Sequence, residues 1–167
     1  PVIYAANISE DDAADPYSSS LVQELAAIAE AEKAQLITVC SKMEEEMSAL
    51  DEEEKKAFLA EFGIEEAGLS QLITAGYRTL GLISFLTAGP KEVRAWPIKS
   101  GTKAPGAAGK IHSDFERGFI RAEIIGFDDL VQCGKNMTVA REKGLIRSEG
   151  KEYVMRDGDV TLFRFNV

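Results

Sequence analysis

Two apolar, β-branched runs, Val2 to Ala6 and Leu36 to Cys40, bracket one amphipathic helical segment within about 40 residues. Consecutive strands this far apart, joined through a helix, pair parallel, because a parallel partner needs a crossover of about a dozen residues or more. The intervening helix starts at Ser18, Ser19 or Ser20 as N-cap and runs to about Lys33, with Leu21, Val22, Leu25, Ile28 and Ala29 on one face. That predicts one βαβ unit. Two strands do not make a stable doubly wound sheet, so the front of the chain is either the tail of a larger domain or not globular alone.

The next stretch is acidic and helical, Met43 to Glu61, with Asp51 and Glu54 at capping-box spacing and Phe58, Leu59 and Phe62 on the apolar side. A further helix is expected from about Leu69 to Leu82, behind Gly68. At Thr87-Ala88-Gly89-Pro90 helical periodicity gives way to short strands punctuated by Gly and Pro, which marks a domain boundary. We therefore divide the chain into residues 1–84 and 85–167. In the second part, strands are expected at Glu92 to Ile98, ended by Pro97, at Phe119 to Ile125, at Lys151 to Met155 and at Val160 to Asn166, the last two separated by an Asp157-Gly158 turn. A main helix from about Ala107 to Glu116 and short helices at Asp128 to Cys133 and Thr138 to Lys143 complete an α+β roll of the ubiquitin-like, β-grasp kind.

The net charge of −9 is unevenly placed. Residues 1–84 carry 5 Lys/Arg against 17 Asp/Glu, a balance of −12, and residues 85–167 carry 14 against 11, a balance of +3. The rear part thus tolerates a polyanion better than the front. No apolar run reaches the roughly 20 residues that cross a bilayer, and the first residues lack the basic-then-apolar order of a signal peptide, so a cytoplasmic location is expected with no membrane partner. Cys40 and Cys133 have no CxxC pairing, and His112 is the only histidine, so no disulfide framework and no zinc site is expected. Both thiols read as ordinary buried or half-buried side chains.

Asn7 closes the first strand and Glu10 follows three residues on. Open α/β sheets bind ligands outside the carboxyl ends of their strands. There an Asn amide can tie neighbouring loops and contact a purine, while a carboxylate accepts hydrogen bonds from the base edge. In the GTPase signature Asn-Lys-x-Asp the aspartate takes two donors from guanine, each such bond to a charged group being worth about 1.5–3 kcal/mol. Glu10 stands in that place one methylene further out, about 1.5 Å, and Ile8 stands where the lysine stem would cover the base. The two-donor fit is lost, so guanine selectivity should be weak and adenine accepted. Cys40, Ser41 and Lys42, at the end of the second strand, form the loop whose backbone N–H groups would meet the same base.

The stretches PVIYAANISE, ITVCSKMEEEMSAL, SFLTAGPKEVRAWPI, GTKAPGAAGKIHSDFERGFIRAEII and DGDVTLFRFNV resemble the C-terminal portion of the YchF / Obg-like ATPase family of P-loop proteins, across nearly the whole chain. The resemblance implies the end of a Ras-like nucleotide-binding domain at residues 1–84 and a TGS domain of β-grasp fold at 85–167. It implies a parent that binds and hydrolyses ATP in preference to GTP and associates with ribosomes. By the same resemblance Asn7, Ile8 and Glu10 match the base-reading motif, and Cys40, Ser41 and Lys42 the following base-contacting loop. Cys40 replaces a more usual Ser, which removes any hydroxyl contact there.

No G-x-x-x-x-G-K-[ST] occurs in the sequence, so the phosphate cradle and the Mg²⁺-holding hydroxyl are missing. The chain alone is expected to hydrolyse nothing, with Mg²⁺ needed only alongside chain upstream of Pro1, and it reads as part of a longer protein. His112, near Asp114 and Glu116, reads as a capping or packing residue, and Trp96, Phe115, Phe119 and Phe127 as core. Arg94, Lys99, Lys103, Lys110, Arg117 and Arg121 form either a basic face for ribosomal RNA or a solvated surface. Two functions follow: part of a ribosome-associated ATPase, or a ribosome- or RNA-binding module without enzymatic role. Neither calls for DNA.

Overall fold

The computed structural model describes residues 1–89 and 92–166; Pro90, in the expected boundary stretch, lies outside them. The chain divides into two compact units, Pro1–Leu80 and Gly81–Val167.

In the first unit β1 (Ile3–Asn7) and β2 (Gln35–Val39) pair in parallel, with Ile3 opposite Gln35 and Asn7 opposite Val39. They form a two-stranded sheet. The crossover is α1 (Ser20–Ala31), N-capped at Ser19. Its face is only partly buried: Val22 and Ala29 are covered, whereas Leu21 and Ile28 are exposed. The acidic stretch is two helices rather than one, α2 (Ser41–Met47) and α3 (Glu52–Glu61). The break falls at the capping box, where the Asp51 carboxylate accepts from the backbone N–H of Glu53 and Glu54 and the Glu54 carboxylate accepts from Asp51 N–H at 3.0 Å. A cap of this kind starts a helix and is worth about 1 kcal/mol, so the same residues that support α3 end the preceding run. The next helix, α4, is Gly68–Leu80. Ala13, Cys40 and Met43 form the buried cluster, with Ile8, Phe58, Phe62 and Ile64 packed against it.

The second unit holds a five-stranded mixed sheet in the order β4-β3-β7-β5-β6, made of β3 (Leu82–Ala88), β4 (Val93–Lys99), β5 (Phe119–Gly126), β6 (Arg147–Glu149) and β7 (Asp159–Phe165). Four expectations are corrected here. β3 begins at Leu82, read as the last residue of a helix, and runs across the expected division after Ser84, so the two units part between Leu80 and Gly81. Pro97 lies within β4, opposite Ser84; β4 is the edge strand, where a missing N–H breaks no ladder. Residues 151–155 are not a strand but carry an isolated bridge, Lys103 to Val154, and the edge beyond β5 is β6. The main helix is split into α5 (Ala104–Ile111) and α6 (Ser113–Arg117) by the extended backbone of His112, whose Nδ1 accepts from Asp114 N–H at 3.2 Å. Capping is thus the role His112 holds. The short helices lie where expected, α7 (Phe127–Gln132) and α8 (Met137–Glu142).

One sheet face carries Phe85, Ile98, Ala122, Ile124 and Phe163 against Ala104, Ala107 and Ala108 of α5. Alanines let the helix backbone approach the strands closely. Phe119 and the half-buried Trp96 and Phe115 belong to this core, as expected, but Phe127 is half exposed. A second cluster, Ile125, Cys133, Ala140 and Val160, packs with Leu86, Leu130 and Val139. Both cysteines are free and buried.

Candidate functional site

Parallel pairing brings the carboxyl ends of β1 and β2 side by side, and this juxtaposition assembles the site. Asn7 is the last residue of β1, opposite Val39, and Cys40 is the N-cap of α2. The Asn7 Oδ1 accepts both the Ser41 backbone N–H, at 3.1 Å, and the Ser41 hydroxyl, at 2.9 Å. A backbone N–H only donates, so the atom facing it must be the carboxamide oxygen. The amide nitrogen then points elsewhere and donates to no acceptor among the described residues. Asn7 also borders a hollow of about 210 Å³ shared with Ala6, Ile8, Ser9, Ser19 and Leu21.

Three residues beyond Asn7, the Glu10 carboxylate meets the Lys42 ammonium, which lies three residues beyond Val39, at 2.6 Å. The Lys42 pKa is raised, first by the hydrogen bond to Glu10 and then by the charge of the same carboxylate. The contact uses Glu10 Oε2; Oε1 has no partner among the described residues. The pairing could have been foreseen from opposite charges at equal offsets past a register pair.

Ile8 and Cys40 stand differently. Ile8 donates its N–H to Val39 O at 2.9 Å, and its half-buried side chain packs on Ala13, Cys40 and Met43. Cys40 is buried. Of the six expected residues, then, Asn7, Glu10, Ser41 and Lys42 form one polar corner, and Ile8 and Cys40 form the apolar floor beneath it. A larger hollow of about 440 Å³, along Gln35 to Thr38 and past Arg78, includes none of the six.

The corner is braced by α4. Glu44 Oε1 accepts the Gly68 N–H at 2.6 Å, and a Cβ on Gly68 would lie 2.8 Å from both γ-carbons of Val39. Gly68→Ala is therefore expected to cost about 1–3 kcal/mol through overpacking, read as a lower urea midpoint for the first unit; an unchanged midpoint would show that α4 moves aside freely.

The six basic residues named from the sequence are spread over β4, the start and end of α5, α6 and β5. Lys103 pairs with Glu152 and Arg117 with Asp114, while Lys110 lies on α5. Arg94 stacks over Trp96 at 4.1 Å.

Residues 82–166 match the family YchF-GTPase_C, described as "Protein of unknown function (DUF933)". The chain belongs to the YchF family. It is 54% identical along its whole length to the ribosome-binding ATPase YchF of Bacillus subtilis (strain 168) and 47% identical to that of Escherichia coli O157:H7, covering 45% of each. The chain thus spans about half the length of the curated relatives it matches. It also superposes on the YchF GTPase of Schizosaccharomyces pombe with a TM-score of 0.84 at 37% identity, over 98% of this chain and 43% of that one. A GTP binding protein from Pyrococcus horikoshii OT3 shares the fold, at a TM-score of 0.63 and 20% identity, over 99% of this chain and 46% of that one. No helix among the described residues is long and apolar enough to cross a membrane.

Proposed function

We propose that this chain is the C-terminal part of a cytoplasmic, ribosome-associated nucleotide hydrolase that takes ATP in preference to GTP, and that the Asn7–Ser41 corner holds the base. The observation that carries the reading is the Asn7 carboxamide. Its oxygen is spent on joining the two strand ends, which leaves an oriented N–H₂ donor at the rim. Beside it Glu10 keeps one oxygen for a ligand while Lys42 occupies the other. A single free acceptor suits the one exocyclic amino group of adenine better than the two adjacent donors of guanine. Ile8 and Cys40 support the corner from below. The residues fit a purine, and phosphates and Mg²⁺ would be held by chain not contained in this sequence. Hydrolysis is accordingly assigned to the longer protein.

The second unit is read as a TGS domain of β-grasp fold. The reading is supported by the parallel contact of β3 with β7 at the centre of the sheet and by α5 packed across one face. A reading as a ribosome-binding module without enzymatic role is favoured by one observation, the positive balance of residues 85–167, 14 Lys/Arg against 11 Asp/Glu.

Titrating ATP and GTP against this chain and against a protein extended at the N-terminus separates the two. Binding by the extended form supports the first reading; absence of binding in both leaves the second. In the extended protein, Glu10→Asp combined with Ile8→Lys is expected to shift the preference toward GTP by about tenfold, the equivalent of one hydrogen bond to a charged group. Glu10→Asp alone, which spares the cluster under Ile8, should shift it in the same direction. Unchanged selectivity in both variants would remove Glu10 from base reading.

A further inference from the structure

β5 has a bulge at Ile120: Phe119 lies opposite Phe165, yet Arg121, two residues on, lies opposite Arg164, one residue on. A bulge reverses the side on which the following side chains stand. Phe119 is buried in the α5 core, and without the bulge Arg121 would follow it there. With the bulge, Arg121 shares the other face with Arg164, its direct cross-strand neighbour. Like charges directly opposite on antiparallel strands destabilise a sheet. The arrangement is partly compensated by Glu123, whose side chain is 14% exposed and takes Arg164 Nε at 3.0 Å and Arg121 at 3.5 Å. Arg141, from α8, reaches the same carboxylate at 3.5 Å.

Three guanidiniums therefore face one carboxylate and leave two positive charges in excess. Each guanidinium carries several N–H donors, and a single carboxylate cannot accept them all. The side chains of Arg121, Arg141 and Arg164 are about half exposed or more. Leu162, opposite Glu123 on the same face, is 46% exposed. A local repulsion that the fold builds in by bulging a strand, and only half cancels, marks a functional surface.

We propose that the sheet face bearing Arg121, Arg141 and Arg164 binds the phosphate backbone of RNA, with Glu123 holding the three guanidiniums in place. The choice of RNA rests on the ribosome-associated reading above. It is reinforced by charge complementarity and by the use of arginine alone, since the planar guanidinium meets phosphate oxygens two at a time. Backbone contacts of this kind carry no sequence preference.

The test uses the full chain and two probes, a fluorescein-labelled oligouridylate and purified ribosomes, each over a salt titration. Changing all three arginines to glutamine should weaken oligouridylate binding at least tenfold and lower the slope of log K against log salt by roughly 2, since each single-strand phosphate contact contributes about 0.7. Arg141→Gln, whose side chain is exposed on α8, leaves the strands untouched and should lower the slope by roughly 0.7 on the same basis. Lys110→Gln, on α5, should change neither. Equal slopes for wild type and triple variant, both folded by circular dichroism, overturn the assignment of this face while ribosome association stands. Ribosome binding that is lost in the triple variant, when wild type does not bind the oligouridylate, overturns RNA as the partner. If wild type binds neither probe, the ribosomal reading itself fails, and the proposal with it.

Discussion

Phe85→Ala is expected to lower the thermal midpoint of the second unit by roughly 15 °C or more. Phe85 is fully buried between Trp96, stacked at 6.4 Å between ring centroids, and Phe163, edge-on at 5.7 Å. Truncating such a residue costs about 3–5 kcal/mol, because the transfer free energy is lost and the cavity collapses only in part. In a domain of this size each kcal/mol moves the midpoint by about 4–8 °C. Trp96 is the only tryptophan of the chain, so its fluorescence reports this unit and not the first. Phe85→Leu, which keeps most of the volume, should recover more than half of the loss. A midpoint within a few degrees of wild type for Phe85→Ala would mean that the alanine face of α5 closes onto the sheet, and that the core is less rigidly packed than its burial implies.

Phe85 also shows what could not be read in the sequence. Leu82 to Ala88 is apolar on both sides of its alternation, because Phe85 faces α5 while Leu86 faces the second cluster. A strand covered on both faces has no period of two, and next to a helix it reads as more helix. The same loss of contrast merged α2 with α3 and α5 with α6, where the interruptions at Asp51 and His112 are caps, polar residues that also occur inside helices. The βαβ unit was legible because two short apolar runs flank one amphipathic helix within about 40 residues. The polar corner followed from it: once β1 and β2 are parallel and in register at Asn7 and Val39, Ser41 has to meet Asn7. The Ile8 side chain was not foreseen as floor, since position alone does not say which neighbour an isoleucine packs on. The arginine cluster was hidden more deeply. Its members come from β5, α8 and β7, and only the bulge at Ile120 brings Arg121 to their side.

Asp159→Ala is expected to be nearly as damaging as the loss of Phe85, by a different mechanism. Asp159 opens β7 and is 2% exposed. Its Oδ2 accepts the Tyr153 hydroxyl at 2.9 Å and the Arg156 backbone N–H at 2.9 Å, and its Oδ1 faces Arg147 at 3.4 Å. The carboxylate fastens the irregular segment before the Gly158 turn to the start of the central strand. Its removal leaves a half-buried hydroxyl and a backbone donor unsatisfied, a loss of about 3 kcal/mol. Asp159→Asn, with one oxygen still accepting, should lose about half as much. The Tyr153 phenol supplies an independent reading. Its pKa is raised first by burial and then by the Asp159 carboxylate, with Arg147 opposing. An acid whose pKa is raised on folding contributes stability in full below its unfolded value, about 10 for tyrosine, and that stability drains away as pH rises through the folded value. In Asp159→Ala the second cause is gone and the phenol titrates lower, so the wild-type advantage should narrow in urea titrations carried above about pH 10. A gap that stays constant with pH would show that Asp159 acts on the turn backbone alone, with no share in holding the Tyr153 proton.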